Sequence, residues 1–256
     1  MLRILYRDEH VIAIDKPAGL LVHRSEIDRH ETLFAVQVLR EQIRRRVLPL
    51  HRLDKGTSGV LLFAFDSETA RRLGAQFASG EVHKSYLAVV RGWPPEEGII
   101  THPLSRDHDD YGRELKGKEA QSARTEYRRL ATIELPAAVD RYPTSRYALV
   151  ALSPHTGRRH QLRRHMKHIA HPIVGDATHG KGRHNRFFQR AFACHRLLLA
   201  CVELRLRHPF TGNELTIRAP LGDQFAGIVA TFGWSGAWPG DGREWSTSGE
   251  SMGPGF

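Results

Sequence analysis

The sequence predicts an α+β fold in one domain, and three observations carry that expectation. Strand candidates outnumber helix candidates, they cluster without strict strand–helix alternation, and no repeat or linker divides the chain before about residue 234. Strict alternation would have indicated a doubly wound parallel sheet instead.

"LRILYRD" and "HVIAID" are short, β-rich and separated by charged turn residues, so they form a strand pair. Lys16 and Pro17 then break the pattern in "KPAGLLVH". "TLFAVQVLREQIRRR" carries Leu33, Val36, Leu39 and Ile43 on one helical face and ends in arginines that complement a helix C-terminus. "GVLLFAFD" is a continuous apolar run, the pattern of a strand covered on both faces. Ser67 is placed to cap a helix over "SETARRLGAQFA". "VHKSYLAVVRG" is strand-like, and residues 104–122 are polar without period, which predicts a long exposed loop.

"RTEYRRLATIEL", "SRYALVALSP", "HRLLLACVELRLRHP" and "LTIRAP" add strands. "GRRHQLRRHMKHIA" and "GDQFAGIVATFG" add helices. The folded domain is expected over 1–233, followed by a Gly/Ser-rich disordered tail over 234–256.

The chain has 256 residues and a formal net charge of +10, an excess that favours a polyanionic partner such as RNA. No apolar run approaches the ~20 residues a bilayer-spanning helix needs. The N-terminus meets charge at Arg3 and Arg7, which argues against a signal peptide. Cys194 and Cys201 lie outside any C-x-x-C spacing and are expected as reduced core residues. Those features together predict a cytoplasmic protein.

Against that background "HRLDKGTSG", residues 51–59, stands out. Asp54 lies among His51, Arg52 and Lys55, where a carboxylate weakens any hold on a polyanion. In "TGRRHQLRRHMKH", Leu162, Met166 and Ile169 fall on one helical face. His160, Arg163, Arg164 and Lys167 fall on another, either as a phosphate-tracking ridge or as a solvated face; Arg163 could equally turn inward to a buried carboxylate. The histidines between 155 and 179 have cationic rather than anionic neighbours, so no metal site is expected. Tyr86 shares a strand face with Lys84 and is either a core residue or a platform for a base.

Four segments in one order, "HRLDKGTSGVLLFA", "KSYLAVVRG", "TGRRHQLRRHMKHIAHPIVGD" and "LRHPFTGNELTI", resemble the RluA-type family of pseudouridine synthases. "ILYRDEHVIAIDKPAGLLVHRS" is similar to that family's opening strand pair and Lys-Pro turn, and the resemblance runs from residue 2 to about 233. One departure is "LLLACVEL", where similar proteins carry His-Ala, a change that bears on packing.

The resemblance implies a catalytic domain with a mixed, mostly antiparallel sheet, flanking helices and a central RNA-binding cleft. It implies isomerisation of a flipped-out uridine, a reaction without redox change or group donor and therefore without a cofactor. Breaking the bond from uracil N1 to the ribose calls for a positioned carboxylate, and the final C5 proton needs a base. By resemblance Asp54 is that carboxylate, Arg163 pairs with it, and Tyr86 packs against the target base and assists the last deprotonation. Arg52 fills the space the base vacates, a task suited to a flat guanidinium. His51, Lys84, His160 and Gln161 are expected to contact the substrate.

"LVHRSEIDR", "RYPTSRY" and "FGWSG" are similar to members that act on tRNA, at the uridine of position 65. The expected partner is tRNA or another structured RNA, met by a monomer. Ribosomal RNA is the alternative substrate. A non-catalytic RNA-binding protein would leave Asp54 as an unexplained cost to affinity.

Overall fold

The computed structural model describes residues 1–24, 32–105 and 119–238. β1 (Arg3–Arg7) and β2 (Val11–Lys16) form the expected antiparallel pair. The Asp8 carboxylate accepts from the amides of His10 and Val11 to close their turn. α1 (Ala35–Ile43) ends where Arg44 turns left-handed at φ 51°, so the arginine run lies past the helix. β3 (Leu48–Pro49) leads by way of a loop to β4 (Ser58–Ala64), whose seven residues are all buried, as its apolar run demands.

α2 (Ser67–Ser79) is capped by Asp66 and not by Ser67. Asp66 keeps extended backbone and accepts from the Thr69 amide, a bond that a residue already inside the first turn cannot make so well. β5 (His83–Arg91) and β6 (Glu97–Ile100) follow. The expected 104–122 loop is closed at its base by a two-stranded ladder of β7 (Leu104–Ser105) and β8 (Ala120–Gln121), and its remainder lies outside the described residues. β9 (Thr125–Leu135), β10 (Ser145–Pro154), α3 (Gln161–His168), α4 (Gly182–Phe192), β11 (Leu199–Arg207), β12 (Glu214–Arg218) and α5 (Asp223–Thr231) complete the order. α4 has no side-chain cap and a basic, aromatic sequence, so nothing local announces it; His184 and Phe188, one turn apart, fix its buried face.

Ten strands form one sheet in the order β1-β2-β4-β11-β5-β10-β9-β6, with β12 on β11 and β3 on β4. Among the described residues every ladder is antiparallel except that between β4 and β11, where Ala200 pairs with Ser58 and Cys201 with Gly59. The mixed, mostly antiparallel sheet of the sequence reading is therefore present. Gly59, at φ 108°, is required at this junction because a Cβ there would lie 2.0 Å from the carbonyl oxygen of Cys201. Alternate residues of β5 and β10 feed two cores. Tyr86, Ala88 and Val90 join Leu162 and Met166 on one face, while Leu87 and Val89 join Phe188 and Phe225 on the other.

The packed chain extends past the expected boundary at 233. Trp234 is buried in the second core, edge-on to Phe232 with ring centroids 5.0 Å apart, and its indole reaches the carbonyl of Thr132. A large aromatic with a partner for its N–H gains more from burial than the surrounding glycines lose in ordering. Residues 239–256 of the expected tail lie outside the described residues.

His51, just before β4, accepts a 3.1 Å hydrogen bond at Nε2 from the Leu62 amide and stacks on Phe77. Burial, helped by the charge of Lys84, holds its pKa down at about 3. Its folded form is neutral, whereas the unfolded chain takes up the proton near pH 6.5. Stability therefore falls as pH drops from about 6.5 towards 3. His51→Gln is expected to flatten that dependence by up to about 1 kcal/mol per pH unit in denaturant melts across this window. Trp234→Ala is expected to cost about 3 kcal/mol in the same assay at neutral pH.

Candidate active site

The loop from Leu50 to Thr57 carries Asp54, and a turn from the Thr57 amide to the Asp54 carbonyl (3.0 Å) delivers it to the start of buried β4. Two cavities of about 800 and 530 Å³ meet there. Both are lined by Arg52, Asp54, Arg159, His160 and Arg163. Tyr86 and Lys84 line only the smaller one, and Lys55, Asp176 and Arg196 only the larger.

His160 takes the left-handed conformation (φ 54°) at the head of α3, which swings the chain so that Arg163, in the first turn, points inward. The alternative of a common basic ridge is not what forms. Arg163 reaches Asp54, Arg164 donates to the Ser105 carbonyl, and Lys167 remains exposed. Arg163 donates from Nη1 to Asp54 Oδ2 at 3.1 Å. Its fork, Nε and Nη2, donates to Asp176 Oδ2 and Oδ1 at 2.7 and 2.8 Å. Burial works against the guanidinium's charge, but the bonds to Asp176 and the charge of Asp54 outweigh it and hold its pKa above the ordinary value. Burial likewise raises the Asp176 pKa, and Arg163 with the amides of His179 and Thr178 more than offsets this, so the carboxyl is held below its usual range.

Tyr86 is 8% exposed and faces Cys201 across the β5–β11 ladder. Burial, reinforced by Cys201, pushes its phenol well above the ordinary pKa. Tyr86 is thus a protonated hydroxyl that can pack against a ring and donate a hydrogen bond. Cys201 is a buried thiol, pushed up to about 12 by burial. The departure from His-Ala in β11 accordingly puts a small uncharged group behind the tyrosine. Lys84, on the same face, has its pKa lowered by burial.

His160 Nδ1 lies 3.2 Å from His179 Nε2, and burial holds its pKa at about 4 despite Asp54. Arg52 is exposed at the meeting point of the cavities. Gln161 lines the smaller cavity but is otherwise engaged. Its Oε1 accepts from Thr156 and the Arg158 amide, and its Nε2 donates to the Arg124 carbonyl and Thr125. Its amide fastens the 156–160 loop, and His51 similarly supports the wall by holding β4. Three other histidines of this region pair with protein groups: His155 with Glu126, His165 with Thr125 and the His102 carbonyl, and His171 with the Arg91 carbonyl.

Two residues of the site escaped the sequence reading. Asp176 sits after Gly175 (φ 81°), where a Cβ would lie 2.0 Å from the Arg196 carbonyl oxygen. "GDATHG" signals such a tight turn, but its partner lies in another element. Lys16 is fully buried and donates to the carbonyls of Pro17, Leu20 and Lys55, tying the Lys-Pro turn to the Asp54 loop. Burial lowers its pKa to about 7. A lysine directly before Pro17, at the end of the strand VIAIDK, was the available signal.

The family model for RNA pseudouridylate synthase matches residues 10–168, a span that contains Asp54, Tyr86 and Arg163. A protein of Vibrio cholerae named tRNA pseudouridine synthase C is 51% identical over 236 residues, covering 91% of this chain and 97% of the relative. One of the same name from Yersinia pestis is 48% identical, covering 93% of this chain and 94% of the relative. Among solved structures, Human RNA Pseudouridylate Synthase Domain Containing 4 superposes with a TM-score of 0.68 at 26% identity, covering 90% of this chain and 92% of that one. Family match, near-full-length relatives and shared fold agree with the cleft's geometry: the chain belongs to the RNA pseudouridylate synthase family.

Proposed function

We propose that this RNA pseudouridine synthase acts on tRNA, isomerising a flipped-out uridine, the one at position 65, with Asp54 as the reactive carboxylate. The observation that carries the reading is a carboxylate at the meeting point of two cavities, fixed by one hydrogen bond from a buried arginine. A net charge of +10 draws the polyanion, and the curated relatives of about half identity are named for tRNA.

In this scheme Arg52 enters the space the uridine leaves in the stem, offsetting the few kcal/mol of lost stacking. The base lies in the smaller cavity against Tyr86. Asp54 acts at the ribose to open the N1–C1′ bond, and the uracil turns so that C5 meets C1′. C5 then loses its proton and N1 gains one, so substrate and product are isomers and nothing is oxidised. Because Tyr86 is protonated, its part at the last step is to hold the base and relay through its hydroxyl, and the carboxylate is the base at hand. The chemistry needs no cofactor. The chain works as a monomer in the cytoplasm, where its substrate is made.

Asp54→Asn is expected to lower pseudouridine formation by at least about 10³-fold while leaving tRNA affinity unchanged or slightly tighter. Turnover within tenfold of wild type would overturn the assignment. Mapping pseudouridine in cells with and without the protein is expected to show the loss at tRNA position 65. A loss confined to ribosomal RNA would contradict the substrate. Affinity for tRNA is expected to fall steeply between about 50 and 200 mM salt.

A further inference from the structure

We propose that Asp176 is the positioning residue that keeps Asp54 reactive, by occupying the fork of Arg163 so that only its Nη1 edge reaches Asp54. The inference rests on Asp54 being the reactive carboxylate, and it concerns a residue outside the 10–168 family match.

An arginine beside a lone carboxylate prefers the two-bond fork, which ties up both carboxylate oxygens. Such a bond pair stabilises the anion and blunts it as nucleophile or base. Here the fork is closed on Asp176 by bonds of 2.7 and 2.8 Å, and Asp54 receives one 3.1 Å bond at Oδ2. Asp54 is therefore oriented without being fully neutralised.

Asp176 is built for this task. Its side chain is inaccessible to solvent, and its Oδ1 accepts also from the amides of Thr178 and His179. The Asp176 carbonyl accepts from Asn185 on α4, while the Asn185 Oδ1 accepts from the Gly175 amide, so the turn is pinned from both ends. A buried acid held by two backbone amides besides Arg163, on a turn that is itself pinned, cannot follow Arg163 towards Asp54. The charges also divide in Asp54's favour. One guanidinium serves two carboxylates, leaving the trio with one negative charge instead of a neutral pair.

The test is Asp176→Asn, which keeps the shape and weakens the fork, assayed by single-turnover rate, tRNA binding and crystal structure. The rate is expected to fall about a hundredfold, with affinity within threefold of wild type. Arg163 is expected to rotate and make two bonds to Asp54. In an Arg163→Lys background, where no fork exists, the same substitution is expected to change the rate less than threefold.

A wild-type rate in the single variant overturns the inference, as does an unmoved Arg163. So does an equal loss in both backgrounds, or binding lost in step with rate, since these indicate a structural role only. If Asp176→Asn does not fold, Asp176→Glu takes its place. It keeps the charge but displaces the fork, and a wild-type rate there overturns the proposal. A wild-type enzyme inactive on tRNA would defeat the substrate reading, and the position of Arg163 in the variant structure would still decide the role of Asp176.

Discussion

The structure depends on one buried cation shared between two acids. Arg163 joins Asp54, 109 residues away in the chain, to Asp176, 13 residues further on, and so holds the loop before β4, the head of α3 and the turn before α4 in register. Burying a guanidinium costs several kcal/mol unless its donors are met, and three of its five N–H groups make bonds to carboxylates here. Removing either partner leaves a charge in a half-dry cleft. The trio therefore specifies the position of the loops more strongly than it contributes to stability.

The sheet supplies the frame for that trio. The parallel ladder of β4 on β11 sets the Asp54 loop directly before a strand with no exposed residue. Gly59 and Gly175 each sit where a carbonyl of another segment, that of Cys201 or Arg196, leaves no room for a Cβ. Lys16 fastens a third segment beneath the loop through three carbonyls. β5 then presents Tyr86 and Lys84 to the smaller cavity while its alternate residues build the opposite core. Backbone contacts do most of the positioning, and they leave the Asp54 carboxylate and its immediate partners facing the cavities.

Much of this was legible in the chain. The long apolar run of β4, the strand pair at the start and the inward face of α3 carry their patterns locally, and each formed where its period placed it. Asp54 was conspicuous because a carboxylate among cations opposes the chain's own charge. Features that rest on distant partners were not legible. α4 lacks a cap and folds because His184 and Phe188 meet the second core. Asp176 looks like a turn residue until Arg163 is beside it, and Gln161 looks available until Thr125 and Arg124 take its amide. Trp234 belongs to a glycine-rich stretch by composition and to the core by contact.

The central claim is that a uridine leaves its helix to meet Asp54 in the cleft. The most direct measurement is a crystal structure of the Asp54→Asn protein bound to substrate tRNA. The expected result is one uridine turned out of the stem, its ring against Tyr86, its C1′ facing residue 54 and Arg52 in the gap it left. A bound tRNA with every stem base still stacked and the two cavities empty would contradict the claim.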